Sequence, residues 1–327
     1  MSATYKDLYE SLNAEQRLAV DTVEGPVMVI AGPGTGKTQI LAVRILNILR
    51  ETQAKPEEIL CLTYTDAGSS AMVNRLSQFM GADAYNVNIH TFHGLCNKVI
   101  QDNPELFSKG NLRVMDDLDK LELMENLIRT IPSSSPLQGF QEHPSYLRKA
   151  LGTVFSLMQN ENLDITFFEN GLALLSDEEE FKQAFPSLVY QKTVAGGNKG
   201  DIKKKEYEKH LIEWQKLLEA ATLFPKYQEM KKEAGLYEFS DMLQWVLTAF
   251  KSNPDLLLNY QEKYQYILVD EYQDTSGIQN ELLYQLISFW DENPNCFVVG
   301  DDDQSIYAFQ GARVSNMMDF ALKYENN

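Results

Sequence analysis

The chain has 327 residues, 44% of them hydrophobic, which is enough for one large or two ordinary domains with a sizeable core. Its formal net charge of −18 at pH 7 argues against a general nucleic-acid binder with a basic surface. Three widely separated cysteines exclude a disulfide framework and a zinc-site spacing, and no apolar run reaches the roughly 20 residues that a membrane span needs. The N-terminal segment is too polar for a signal peptide, so we expect a soluble, cytoplasmic protein.

Charged residues are unevenly distributed along the chain. From Asp270 to Asp303 the sequence has nine Asp or Glu and no Lys or Arg, whereas 196–210 has five lysines and three acids. A lysine-rich segment of this kind is either a solvated loop or a contact to duplex phosphates. Net charge alone therefore does not decide which partner the protein binds.

Five short apolar runs predict buried strands: 27–31, 58–65, 86–92, 264–270 and 295–301. Apolar residues at helical spacing follow the first two runs, in 38–49 and 69–80. Strands that alternate with helices at these lengths predict a mostly parallel, doubly wound α/β sheet. Between about 100 and 225 the strand signals fade and helical patterns dominate, which predicts a mainly helical insertion.

The segment AGPGTGKT (31–38) follows the first predicted strand and opens a predicted helix. This is the setting of a phosphate-binding loop, in which glycines turn backbone N–H groups toward phosphate oxygens and the helix N-terminus adds a favourable dipole. Lys37 would reach the β- and γ-phosphates, and the Thr38 hydroxyl would coordinate Mg²⁺. Ala31 stands where the strict pattern has glycine. The alternative, a glycine-rich turn before a surface lysine, is disfavoured by the strand–loop–helix context.

The segment YILVDEYQD (266–274) is an apolar run that ends in two adjacent carboxylates, Asp270 and Glu271. At the carboxyl end of a parallel strand these side chains would face the same crevice as the phosphate-binding loop. Asp270 would hold Mg²⁺, directly or through water, and Glu271 would orient and deprotonate an attacking water. The alternative is a solvated acidic loop after a strand.

The segment GDDDQSIYAFQGA (300–312) follows the last predicted strand. Gln304 would lie near the γ-phosphate, and Tyr307 and Phe309 present flat faces suited to stacking on nucleic-acid bases. Taken by themselves, these aromatic residues fit a core position equally well. The chemistry of this segment therefore depends on its context.

Seven segments, in order along the chain, together resemble the motifs of superfamily 1 DNA helicases of the UvrD/Rep type. They are LNAEQRLAV (12–20), AGPGTGKT (31–38), LTYTDAGSSAMVNRL (62–76), IHTFHGLC (89–96), YEFSDML (237–243), VDEYQDTS (269–276) and VVGDDDQSIYAFQGA (298–312). The resemblance covers about 1–98 and 235–327, and the helical insertion between them matches in position only.

The resemblance implies a RecA-like P-loop NTPase domain with an inserted helical subdomain, divided as 1–100, 101–225 and 226–327. It implies ATP and Mg²⁺ as cofactors and 3′→5′ movement on single-stranded DNA or at a single/double-strand junction. The catalytic residues it implies are Lys37, Asp270, Glu271 and Gln304. The nucleotide-binding residues are Gln16 on the adenine edge, then Ala31, Gly32, Pro33, Gly34, Thr35, Gly36, Lys37, Thr38, Gln39 and Arg44, with Thr38 and Asp270 as metal ligands. The DNA-binding residues are Tyr64, Thr91, His93, Tyr307 and Phe309.

This sequence departs from the family in two respects. Phe309–Gln310 stands where many relatives have Trp-Arg, which predicts a weaker grip on DNA. No later segment resembles the motifs of the family's second motor domain, which supplies its arginine fingers, so we expect half of a longer motor, with low ATPase activity by itself. The alternatives are a stand-alone nucleotide-dependent module that grips single-stranded DNA or a protein without translocating, and a subunit of a nuclease–helicase.

Overall fold

The computed structural model of the protein describes residues 5–32, 34–107, 112–137, 144–193, 197–301 and 315–325. These residues belong to two compact units, of which the first joins Met1–Ser108 with Phe239–Asn327 and the second is Lys109–Glu238. The second unit starts and ends later than the predicted insertion at 101–225. Its end is later because one more helix, Phe224–Glu233, and one short strand, Leu236–Tyr237, belong to it.

The described residues form seven strands: β1 (Val27–Ile30), β2 (Ile59–Thr63), β3 (Asn88–Thr91), β4 (Arg113–Val114), β5 (Leu236–Tyr237), β6 (Tyr266–Val269) and β7 (Cys296–Gly300). They also form fifteen α-helices: α1 (Tyr5–Glu10), α2 (Ala14–Asp21), α3 (Lys37–Glu51), α4 (Asp66–Met80), α5 (Phe92–Asp102), α6 (Asp117–Arg129), α7 (Pro144–Asn160), α8 (Ile165–Ser176), α9 (Glu178–Ala184), α10 (Lys204–Thr222), α11 (Phe224–Glu233), α12 (Phe239–Ser252), α13 (Pro254–Lys263), α14 (Gly277–Ile287) and α15 (Ser315–Lys323). Within these ranges no helix combines the length and the apolar character that crossing a membrane requires.

The first unit is built on a five-stranded sheet in the order β1-β7-β6-β2-β3, and every neighbouring pair of strands is parallel. The five predicted strands and the parallel α/β class are confirmed. Strands β2, β6 and β7 are buried along their whole length. Because helices cover both faces of such a sheet, its central strands are continuous apolar runs and do not alternate with polar residues.

Helix α3 is fixed firmly against the sheet. Its residues from Ile40 to Ile48 are all buried, and it contacts α2 and α4. Several of these side chains share a core cluster with Ile59 of β2 and Phe297 of β7. The first turn of α3, which carries Lys37 and Thr38, is therefore held rigidly at the end of β1.

The second unit is mainly helical. Helices α6, α7, α10 and α11 contribute to a separate apolar cluster that includes Leu127, Phe155 and Tyr227. A short parallel pair, β4 with β5, brings the beginning and the end of the unit together. Glu238 adds an ionic tie at this place, since its carboxylate accepts from Lys120 at 2.7 Å and from Lys231 at 3.2 Å.

Candidate functional site

The carboxyl ends of five parallel strands meet along one edge of the sheet of the first unit. The segments that leave this edge are the glycine loop after β1, Tyr64 after β2, the start of α5 after β3, Asp270 and Glu271 after β6, and Asp301 after β7. In open α/β sheets ligands bind in a crevice outside this edge. The fold thus brings most of the predicted site residues to one place.

Two glycines of the loop between β1 and α3 have left-handed backbone conformations. Gly34 and Gly36 have φ of 71° and 86°, in the left-handed region that side chains with a Cβ adopt only with strain. Gly36 is also the residue before the first turn of α3. The Thr35 hydroxyl closes the loop by donating to the Gly32 carbonyl at 2.7 Å. The loop therefore ends at a helix N-terminus, where the partial positive charge of the helix favours an anion.

Lys37 and Glu271 are joined by an ion pair across this edge. Lys37 Nζ lies 2.8 Å from Glu271 Oε2, with side-chain exposures of 10% and 36%. Glu271 has φ 48° and ψ 48°, a left-handed conformation that costs a non-glycine residue about 1–3 kcal/mol. Strain of this kind is concentrated at functional sites, because the surrounding structure has to hold it in place. The ion pair is the central contact of the candidate site.

Asp270 lies beside this pair at the end of β6. Its backbone N–H donates to the Leu62 carbonyl of β2 at 2.8 Å, and its Oδ1 accepts from the Glu271 N–H at 3.0 Å. Burial, and next the adjacent Glu271 carboxylate, raise the pKa of Asp270 to about 6. A cation bound here would offset both causes. The chemistry of this carboxylate therefore fits Mg²⁺, which prefers oxygen ligands and usually takes one or two carboxylates together with phosphate oxygens.

Gln273 contacts the Glu271 carboxylate at the same oxygen as Lys37. Its Nε2 donates to Glu271 Oε2 at 2.8 Å, and its Oε1 accepts from the Asp301 N–H at 2.9 Å. The side chain is 2% exposed. Gln273 was not predicted as a site residue, because its one signal in the sequence is an amide side chain two residues after Glu271.

Gln16 lies at the edge of the glycine loop. Its Nε2 donates to the Thr35 carbonyl at 3.1 Å, and its Oε1 accepts from the Asn13 N–H at the start of α2. A cavity of about 620 Å³ borders Gln16 and the loop and is otherwise lined by β1 and α2. Gln39 lies close by, with its side chain between Ser11 and Arg75. Gln16 thus lines a cavity that adjoins the loop.

Arg44 does not have the position that a nucleotide contact requires. It is 1% exposed, and its guanidinium donates to the carbonyls of Ala19 and Val23 and lies 4.4 Å above the Phe297 ring. Burial lowers the pKa of Arg44 to about 10. Because seven residues, or about two helical turns, separate Arg44 from Lys37, its side chain extends into the core under α2. The predicted nucleotide contact of Arg44 is replaced by a structural role.

Replacing Arg44 by methionine is expected to lower the free energy of unfolding by about 1–3 kcal/mol, since the carbonyls of Ala19 and Val23 lose their donor. Nucleotide affinity should stay the same. Urea denaturation and calorimetric titration measure the two quantities. The matched control is Arg50→Met in the same helix, because Arg50 is exposed and its guanidinium lies over the Tyr5 ring. Loss of nucleotide affinity without loss of stability in Arg44→Met would contradict the structural role.

The predicted DNA-binding residues that the structure describes also lie at this edge. Tyr64 is half-buried directly after β2, and Thr91 ends β3, where its hydroxyl accepts from the Gly94 N–H at 3.0 Å and caps α5. His93 lies in the first turn of α5, and burial lowers its pKa. Four predicted site residues, Pro33, Gln304, Tyr307 and Phe309, lie outside the described residues.

The fold and the site define a parallel α/β protein with a glycine loop, a lysine and paired carboxylates at the carboxyl edge of its sheet. The sequence model of the UvrD/REP helicase N-terminal domain family matches residues 12–325. The chain therefore belongs to this family, in agreement with its seven motifs.

Several curated relatives are similar to nearly the whole chain. A probable DNA helicase II homolog of Rickettsia conorii is 30% identical over 318 residues, which cover 96% of this chain and 41% of the relative. The ATP-dependent DNA helicase PcrA of Bacillus subtilis is 30% identical over 327 residues, with coverage of 100% and 37%. The PcrA protein of Staphylococcus aureus is 29% identical over 319 residues, with coverage of 97% and 37%. The chain thus spans about two fifths of the length of these relatives.

Proposed function

We propose that this chain is the ATP-binding half of an ATP-dependent DNA helicase or translocase that moves 3′→5′ along single-stranded DNA. In this proposal the first unit is a RecA-like P-loop NTPase domain. The observation that carries the proposal is the 2.8 Å contact between Lys37 and Glu271, which brings the phosphate-binding lysine and the expected base together at a helix N-terminus. The names of the relatives, DNA helicase II and PcrA, support the same function.

ATP binding uses the glycine loop and the cavity beside it. The triphosphate lies over the N-terminus of α3, where helix dipole and backbone N–H groups favour anions. Lys37 leaves Glu271 and pairs with the β- and γ-phosphates. The adenine lies in the cavity at Gln16, whose amide presents both a donor and an acceptor. The ion pair between Lys37 and Glu271 is thus exchanged for a lysine–phosphate pair.

Hydrolysis uses the carboxylate that Lys37 releases. Glu271 accepts a proton from the attacking water while the water oxygen bonds to the γ-phosphorus. The bond between the γ-phosphorus and the β–γ bridging oxygen breaks, and ADP leaves with that oxygen. Thr38 and Asp270 would hold Mg²⁺, which when bound neutralises charge on the phosphate oxygens.

The test of ATP binding is a calorimetric titration of the 327-residue chain with ATP in the presence of Mg²⁺. We expect a dissociation constant between micromolar and sub-millimolar, which corresponds to roughly −5 to −8 kcal/mol. Inorganic phosphate and nucleoside without phosphate serve as partial ligands, and each should bind more weakly than ATP. Heat of binding that is absent at millimolar ATP would refute the proposal.

Single-stranded DNA is expected to bind over the carboxyl ends of β2 and β3. Tyr64→Ala should lower the affinity for oligothymidine about 5- to 150-fold, since one base–aromatic stack contributes about 1–3 kcal/mol. ATP affinity should not change. The matched control is Tyr85→Ala, because Tyr85 is 71% exposed and precedes β3, at the opposite edge of the sheet. Fluorescence anisotropy at fixed salt measures both variants, and equal loss in both would place the DNA elsewhere.

A further inference from the structure

Two side chains, those of Lys37 and Gln273, hold the Glu271 carboxylate. Its Oε2 accepts from Lys37 Nζ at 2.8 Å and from Gln273 Nε2 at 2.8 Å. When Lys37 pairs with phosphate, Gln273 still donates to the Glu271 carboxylate. A base that is released from its lysine needs such a contact, because misplacement by about 1 Å can cost about 100-fold in rate.

Gln273 is itself fixed by the end of the neighbouring strand. Its Oε1 accepts from the Asp301 backbone N–H at 2.9 Å, so the amide joins the end of β6 to the end of β7. This bond also determines which way the amide group faces, since an oxygen at Asp301 requires the nitrogen to face Glu271. A second donor contact, from Nε2 to Asp274 Oδ2 at 3.3 Å, supports the same orientation.

Gly300 has no side chain, and the Gln273 amide occupies the space that a Cβ at position 300 would need. A Cβ at position 300 would lie 2.6 Å from Gln273 Oε1 and 3.2 Å from its backbone nitrogen. The first distance is too short for unbonded atoms, so any side chain at this position displaces the amide. The position of the Gln273 amide therefore depends on a glycine at position 300.

We propose that Gln273 is the positioning residue of Glu271: it holds the carboxylate in the orientation for deprotonating water after phosphate has taken Lys37, and it takes its own position from the backbone of Asp301. This role rests on the proposed hydrolysis of ATP. It adds a residue that does not touch the nucleotide and acts only through Glu271. In this arrangement, a displacement of the end of β7 would move the Glu271 carboxylate through the Gln273 side chain.

Gln273→Met tests this role, because methionine keeps the volume and removes the donor and the acceptor. In the 327-residue chain, hydrolysis of radiolabelled ATP under single-turnover conditions should slow by about 10- to 100-fold. The dissociation constant for ATP should stay within about 2-fold, since Lys37 and the glycine loop are intact. Gly300→Ala should give the same result, and combining it with Gln273→Met should slow hydrolysis no further.

The matched control is Asn316→Leu, which removes another buried amide from the same neighbourhood. Asn316 is 1% exposed and donates to the carbonyl and the hydroxyl of Thr275 at 2.9 and 3.1 Å, without touching Glu271. The rate of ATP hydrolysis by Asn316→Leu should stay within about 3-fold of the parent rate. This should hold even if its free energy of unfolding falls as far as that of Gln273→Met.

Three results would overturn the role. Parental rates in Gln273→Met and Gly300→Ala would refute it and leave the proposed function intact. An equal loss of rate in Asn316→Leu would mean that general destabilisation of the fold explains the slower hydrolysis. A parent chain that binds no ATP would refute the proposed function and this role together, whereas one that binds ATP without hydrolysing it would refute this role alone.

Discussion

Lys37→Ala should reduce the affinity of the chain for Mg²⁺-ATP by about 100-fold or more, which corresponds to roughly 3 kcal/mol. Two effects act in the same direction. The variant lacks the cation that would pair with the β- and γ-phosphates, and charge-assisted contacts of this type are the strong ones. It also leaves Asp270 and Glu271 without the ammonium group that now lies 2.8 Å from Glu271 Oε2, so two uncompensated carboxylates face the phosphates.

Calorimetry measures this loss, and Lys55→Ala is the matched control. Lys55 is exposed and precedes β2, so its side chain lies at the opposite edge of the sheet from the glycine loop. The control should bind ATP as the parent does. Urea denaturation of each variant separates lost binding from lost folding. Unchanged ATP affinity in Lys37→Ala would mean that the glycine loop is not the phosphate site.

Strands β2, β6 and β7 of the first unit were predictable because they are buried on both faces. The run 295–301 contains β7 and the run 58–65 contains β2, each a short series of apolar residues without alternation. The helices between them were predictable from apolar residues at helical spacing, as in α3. These features depend on residues that are near in sequence, and local patterns report them well.

The contacts of the site were less predictable, because they depend on distances between residues far apart in sequence. The pairing of Lys37 with Glu271 requires the order β1-β7-β6, in which β7 lies between their strands. No local pattern reports that order. The role of Gln273 depends on it as well, since its partner Asp301 follows β7. Such contacts become visible only when the sheet is assembled.

Arg44 was predicted to contact the nucleotide, and the structure gives it another role. The family resemblance assigned Arg44 to the nucleotide site. The structure places its guanidinium against Phe297, with carbonyls of the α2 region as acceptors. A buried arginine that satisfies backbone carbonyls has the same sequence signal as one that binds a ligand. Tertiary packing decides between the two roles.

Glu271→Gln should abolish ATP hydrolysis, to at least about 100-fold below the parent, while ATP stays bound. The amide cannot accept a proton from water, but it keeps the size of the side chain and a contact to Gln273. Glu281→Gln is the matched control, because Glu281 pairs with Lys251 on α12, away from the glycine loop. Loss of rate in the control, or retained hydrolysis in Glu271→Gln, would remove Glu271 from the role of base.

The 327-residue polypeptide, tested by itself, should hydrolyse ATP slowly even with Glu271 intact. Phosphoryl transfer depends on charge stabilisation, and an arginine finger contributes about 10³–10⁵ of the rate. Two arginines near α3 are already occupied, since Arg44 donates to backbone carbonyls and Arg75 donates to Gln39 at 3.2 Å. The family resemblance assigns the fingers to a second motor domain, and the relatives extend far beyond the matched region.

Turnover measured with and without oligothymidine checks this expectation. A slow rate that DNA changes little is the expected result, because coupling to DNA requires a cleft that closes over the γ-phosphate from an opposing domain. Supplying a second motor domain from one of the relatives, on the same polypeptide, should raise both the rate and its response to DNA. Fast, DNA-stimulated turnover by the 327-residue chain would contradict the expectation. The first explanation to test would then be an arginine supplied by a second copy of the chain. In that case the specific activity would depend on protein concentration.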